Sequence, residues 1–286
     1  MKKNLRKVKF MGSLLLAICV LGSCDKDDSQ NISEDMTITA TELNASDEAD
    51  LIIEDVVNIG EEVYATDEIM TTSKADYRSD YLPDCVTITT VLTSTSKEKS
   101  IDFGEGCELP NGNILSGIIQ LSYLKDMDLA TKTLSMSLEN FTFNGVAVDG
   151  NASIVRMRNN ENGNPESNAE ADFEGNWPDG DSASFSANRT REWIEGYGSG
   201  YWGDNAFLIS GKATYTGKLG NVFMKETIVP LRRELSCRFI VSGILEISRN
   251  DATASLDFGD GSCDAKGILT HPDGESEEIF LRRFKH

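Results

Sequence analysis

A chain of 286 residues with 27 Lys and Arg against 47 Asp and Glu carries a formal charge of −20. That length suits one large domain or two small ones, and the charge argues against nucleic acid as a partner, since a polyanion is repelled wherever salt leaves the field unscreened. Only two histidines occur, His271 in a Pro-Asp-Gly turn and His286, which leaves almost nothing for a Ser-His-acid or Cys-His centre or for a histidine zinc site.

The first residues read as a processed leader. Lys2, Lys3, Arg6, Lys7 and Lys9 precede an apolar run from Phe10 to Leu21, the charged and hydrophobic regions of a signal peptide over residues 1–23. Leu21-Gly22-Ser23-Cys24 resembles the lipobox of bacterial lipoproteins, with cleavage before Cys24 and a diacylglycerol on its thiol. The apolar run is shorter than the ~20 residues that span a bilayer, so acyl chains on Cys24 are the expected anchor. Asp25-Lys26-Asp27-Asp28 resembles the acidic export signal that sends lipoproteins of Bacteroidetes to the outer face of the outer membrane. Cleavage removes five basic groups and leaves 263 residues, with 22 Lys and Arg against 47 Asp and Glu, a formal charge of −25.

Residues 24–45 read as the lipidated cysteine and a flexible acidic tether, and 46–82 as a helix and linker. Leu51, Ile52, Val56, Ile59 and Val63 recur near helical spacing between acidic residues, with Ser46 as a cap, so Asp47–Thr66 is expected to form one amphipathic helix against a sheet; Gly60 weakens it.

From residue 83 to 286 the chain reads as one large all-β domain. Cys19 belongs to the leader and Cys24 to the lipid, leaving Cys85, Cys107, Cys237 and Cys263 in an oxidising compartment. An internal repeat pairs them. Cys85 and Cys237 each open an apolar or β-branched strand, and the return strands end in Asp102-Phe103-Gly104-Glu105-Gly106-Cys107 and Asp257-Phe258-Gly259-Asp260-Gly261-Ser262-Cys263. Folded as hairpins, these units (85–123 and 237–283) bring Cys85 to Cys107 and Cys237 to Cys263. A four-thiolate zinc site lacks the tight Cys pairs it needs.

The middle alternates strands with Asn-Gly and Asp-Gly turns: Leu134–Leu138, Phe141–Phe143, Val146–Val148, Ala152–Arg156, Ala169–Asp172, Ser182–Ser186, Phe207–Thr216 and Val222–Ile228. A small polar residue and glycine recur at Ser116-Gly117, Asn144-Gly145, Ser210-Gly211 and Ser242-Gly243, a pattern of bulges or bends. The expected fold is all-β: a strongly curled antiparallel meander or partly closed barrel with one N-terminal amphipathic helix.

No catalytic residue stands out. The Asp-Phe-Gly triplets lack the companions of a kinase site and read as turns, with Asp102 and Asp257 bonding their own backbone and Phe103 and Phe258 in the core. No cofactor is called for; the one candidate is calcium at Asp257, Asp260 and Asp264, repeated at Asp102, Glu105 and Glu108, without EF-hand order. Residues 193–204 gather four large aromatics among four glycines. Packing of Trp193 and Trp202 into one end of the sheet, with glycines making room, is the reading the residues favour; Trp193, Tyr197, Tyr201 and Trp202, with Asp204 and Arg191, are the candidate ligand surface, a sugar being the natural guest of such a floor.

The cysteine-flanked units, the Asp-Phe-Gly-acidic-Gly turns and the run Pro230-Leu231 to Ser236-Cys237 resemble a group of cell-surface lipoproteins of Bacteroidetes and flavobacteria. The resemblance implies export and an all-β domain over most of 80–286, and transfers no activity. The expected function is a non-enzymatic surface lipoprotein binding a glycan or an envelope or extracellular protein. The alternatives are a scaffold subunit of an outer-membrane complex and a hydrolase using paired carboxylates.

Overall fold

The computed structural model of the protein describes residues 40–73, 77, 79–126, 129–217, 220–250 and 252–281. The leader, Cys24 and the acidic export segment lie outside the described residues.

Helix α1 (Ala40–Ser73) precedes fourteen strands: β1 (Thr87–Leu92), β2 (Ser96–Asp102), β3 (Cys107–Glu108), β4 (Ile114–Leu124), β5 (Thr131–Phe143), β6 (Val146–Met157), β7 (Glu166–Asn176), β8 (Ser182–Glu195), β9 (Ala206–Thr216), β10 (Val222–Glu234), β11 (Ile240–Arg249), β12 (Ala252–Asp260), β13 (Lys266–Thr270) and β14 (Ser276–Phe280). All pair antiparallel in one sheet whose spatial order follows the chain, with only the short β3 set aside against β4.

The expected strongly curled or partly closed barrel is corrected by this order. β1 and β14 end the path without pairing to each other, so the sheet is open. Closure requires strands staggered consistently around a ring. Here the glycine bends act locally. Pairing slips between Ser116 and Ile118 and between Ser242 and Ile244, and Gly117 sits at the first slip with φ +78°. A Cβ on Gly117 would fall 2.2 Å from the Asn140 carbonyl oxygen, so only glycine lets the two backbones approach there. Asn144-Gly145 is instead the hairpin turn between β5 and β6.

Several short strand expectations merge. Leu134–Leu138 and Phe141–Phe143 are one strand, β5, whose pairing to β6 slips between Ser137 and Phe141. Pro230 lies inside β10, where the ladder to β11 is irregular between Val229 and Arg232 and the missing N–H is tolerated. Along β7 every second residue from Ser167 to Gly175 is buried, the alternation of a strand with one covered face.

Helix α1 is longer than Asp47–Thr66 at both ends. Ser46 is not its cap: its hydroxyl donates to the Leu43 carbonyl inside the helix at 2.9 Å. The amphipathic expectation for this helix is also corrected, because Glu54, Asp55, Asn58, Glu61, Glu62, Asp67 and Glu68 are buried along with Ile52, Val56, Ile59 and Val63. Gly60 has a packing reason, since a Cβ there would meet the Met136 sulfur of β5 at 2.5 Å.

Candidate functional site

The aromatic segment begins as a strand. The inward row Ala183, Phe185, Ala187 continues through Arg191 to Trp193 at the end of β8, so Trp193 points into the core and is 2% exposed. Its indole N–H donates to Asn205 Oδ1 at 3.2 Å, and its ring meets Tyr197 edge-on with centroids 5.0 Å apart. The Arg156 guanidinium lies 5.9 Å from the Trp193 ring and 5.6 Å from the Tyr197 ring, and Arg191 lies 4.2 Å from Phe207. These aromatics wall in buried arginines. The Tyr197 hydroxyl donates to Glu68 at 2.9 Å.

Of the six candidate ligand residues, Arg191 and Trp193 therefore belong to the interior, and half-buried Tyr197 packs against it. Tyr201 remains exposed, with half-buried Trp202 opening the 3-10 turn Trp202–Asp204 and Asp204 accepting from the Ser199 hydroxyl at 2.9 Å. Trp202 tilts against Tyr81 at 6.3 Å. The surface left over offers one open ring.

The aspartates of the repeat turns bond their own loops. Asp102 accepts from the Gly104 N–H at 2.8 Å, Asp257 from Gly259 at 2.9 Å, Asp260 from Ser262 at 3.3 Å and Asp264 from Lys266 at 3.0 Å. Among the described residues no group of three or more His, Cys, Asp or Glu side chains is placed to hold a metal ion. Cys85 is joined to Cys107 and Cys237 to Cys263, with Cα atoms 5.8 and 5.7 Å apart.

The two disulfide units match in register as well as in sequence. Asp102, Ile101 and Ser100 of β2 pair with Ile118, Ile119 and Gln120 of β4, just as Asp257, Leu256 and Ser255 of β12 pair with Ile268, Leu269 and Thr270 of β13. On the other side Asp102 and Ile101 pair with Thr87 and Ile88, and Asp257 and Leu256 with Ile244 and Leu245. Strand β1 is thus the counterpart of β11.

The largest feature missed by sequence reasoning is the ionic interface beneath the sheet. Lys97 and Lys99 of β2 reach Asp67 at 2.9 and 3.1 Å, and Tyr123 of β4 donates to it at 2.6 Å. Arg156 and Arg158 meet Glu68 at 3.4 and 3.1 Å. Arg191 of β8 bridges Glu54, at 3.2 Å, and Glu61. Lys225 of β10 holds Asp47 and Asp50 at 2.7 and 2.8 Å, and Arg189 adds a second cation to Asp50. Loop residues finish the enclosure: Asn111 and Asn113 donate to Asp55 at 2.9 and 2.5 Å, and Asn205 to Glu62 at 3.0 Å.

These partners set the ionisation. Burial opposes the charge of Asp50, yet Arg189 and Lys225 outweigh it and hold the carboxyl below its ordinary value. Asp67 is likewise held down against burial by Tyr123, Lys97 and Lys99. Glu62 differs: burial dominates its hydrogen bonds and pushes it up to about 7. A signal for this interface does exist in the sequence. Lys97, Lys99, Lys132, Arg156, Arg191, Lys225 and Arg233 continue the inward parity of their strands, and the helix carries the matching acids.

The two edges of the sheet are unlike. All of β1 is exposed, including Ile88, Val91 and Leu92 at 41%, 55% and 67%, and none of its residues is charged. The Thr93 N–H bonds the Ser96 carbonyl at 3.0 Å. Antiparallel alternation then turns Thr87, Thr89 and Val91 toward β2 and the backbone groups of Ile88, Thr90 and Leu92 outward. Beside this edge a cavity of about 130 Å³ is lined by Glu62, Val63, Thr66, Leu82, Ile88 and Lys99. The opposite edge, β14, carries Glu277 and Glu278, paired to His271 and Lys266 at 3.0 and 3.1 Å, the charged form by which edges resist further pairing. No family model, curated protein or solved structure matches the chain.

Proposed function

We propose that this is a non-enzymatic lipoprotein, held in the outer membrane by acyl chains on Cys24 and facing the cell exterior, whose β domain binds an envelope or extracellular protein by strand pairing. The observation that carries the reading is the exposed, uncharged edge β1, unpaired on its outer side among the described residues and so a template for another chain. Against the sugar-binding alternative, Trp193 is buried, half-buried Tyr197 is engaged by Trp193 and Glu68, and Arg191 is taken by Glu54 and Glu61. Asp50, Glu54, Glu61, Asp67 and Glu68 of the helix are paired with cations and Asp55 with amides, which suits a rigid support better than acid–base work.

Surface biotinylation of intact cells tests the placement. The full chain is expected to label, and Cys24→Ala to abolish lipid incorporation and release the protein from the membrane. A chain that stays unlabelled, or remains membrane-bound without Cys24, contradicts it. A glycan array probed with wild type and Tyr201→Ala tests the rival: strong binding lost in Tyr201→Ala would displace the protein-partner reading.

A further inference from the structure

We infer that the chain that pairs with β1 is a second copy of β1, joined about a two-fold axis through Thr90. This rests on the strand-pairing reading above and names its partner.

Three observations lead there. First, the repeat shows what an equivalent edge accepts. β11, the counterpart of β1, has β12 on one side and on the other an antiparallel strand, β10, with Leu245 opposite Thr227 and Ile247 opposite Lys225. In the first unit the same side of the same strand has no partner among the described residues.

Second, β1 is complementary to itself in the register its outward groups impose. A two-fold at Thr90 sets Thr90 against Thr90 and Ile88 against Leu92, and each of these pairs exchanges two backbone hydrogen bonds. Every outward N–H and C=O of Ile88, Thr90 and Leu92 is then used. Ile88 and Leu92 come together on the face shared with Ile101 and Lys99, Thr89 and Val91 on the other, both favourable cross-strand neighbours.

Third, the electrostatics permit it. The domain is strongly acidic, but β1 itself brings no charge to the contact; one strand back from the seam, Lys97 and Lys99 share Asp67 on the inner face, while Glu98 and Asp102 stand opposite Val91 and Thr87 on the other. The two copies therefore meet through an uncharged strand, with the charges of both signs held on the strand behind it. A pairing this short buries less than the ~1,000 Å² of a stable interface, so the dimer is weak in solution and favoured when both copies are held on one membrane.

Sedimentation equilibrium of the full-length lipidated protein in density-matched detergent, from about 1 to 200 µM, decides the matter. The wild type is expected to move from monomer toward dimer across the series. Thr90→Pro removes an outward N–H that the β2 ladder does not use, and Leu92→Lys sets a charge against the partner's apolar row; each is expected to weaken the dimer at least tenfold with an unchanged melting curve. A wild type that stays monomeric throughout, or folded variants that dimerise as well as it does, overturns the second copy as partner. The broader reading fails separately, if a photo-crosslinker at Thr90 on intact cells captures no protein at all; capture of a different envelope protein without self-product overturns only the homodimer.

Discussion

The two disulfide units share one ladder and differ in what stands on it. At equivalent inward positions β2 carries Lys97, Lys99 and Ile101, and β12 carries Ala252, Ala254 and Leu256. The first unit grips the C-terminal part of the helix through Asp67; the second supplies Ile240, Leu245 and Phe258 as the apolar part of a cavity of about 50 Å³ near the helix's N-terminal half, which Asp50, Glu54, Arg189 and Arg233 also line. Outside, β11 is covered by β10, while among the described residues nothing pairs with the outer side of β1. Backbone pairing set by a repeated motif is thus compatible with opposite chemistry on the inner face and opposite fates for the outer edge.

Charge placement offers the strongest way to break the comparison. Ala254→Lys, which copies Lys99 onto the second unit, buries an ammonium with no carboxylate built to receive it, and Asp67→Ala strips the first unit of the acid its two lysines share. Each is expected to cost about 3–5 kcal/mol in chemical denaturation. The disulfides should behave alike, because their loops are of similar length, 22 and 26 residues apart in sequence. Cys85→Ala with Cys107→Ala, and Cys237→Ala with Cys263→Ala, are each expected to lose about 3–4 kcal/mol; a large inequality would mean that the units are not equivalent supports.

Glu62, beside the first unit's cavity, gives a pH signature. Its folded value lies above its ordinary 4.5, at about 7, so the folded state keeps a proton that the unfolded chain releases between those values. Its contribution therefore falls as pH rises through that window, by roughly 3 kcal/mol. Asp50 and Asp67, whose values are lowered, contribute with the opposite sense and lose their share only as pH falls through their depressed values. Glu62→Gln should remove the decline between about pH 4.5 and 7 and leave the acid limb in place. The smallest effect belongs to the exposed pair on the outer face, Lys212 and Glu226 at 2.9 Å: Lys212→Ala is expected to change stability by less than ~1 kcal/mol.

Much of the architecture is legible in the sequence because its cues are local. Alternation, Asn-Gly turns and the doubled Cys…Asp-Phe-Gly…Cys pattern point to antiparallel hairpins and to both disulfides. What is not legible depends on partners distant in the chain. Arg191 reads as a surface cation beside an aromatic loop until Glu54 and Glu61, more than a hundred residues away, close on it. The acids of α1 read as the polar side of an amphipathic helix for the same reason. Glycines such as Gly117 mark bends, but a bend says nothing of whether a sheet's ends meet, and these do not. Alternation shows a strand only over Ser182–Ser186; β8 runs on to Glu195 and carries Trp193 inward.

The central claim, that one edge of the sheet is built to receive another chain and the other is not, is tested most directly by photo-crosslinking on intact cells from Thr90 in β1 and from Glu278 in β14. The account predicts a discrete protein product from Thr90 and none from Glu278. Equal capture from both edges, or none from Thr90, would contradict it.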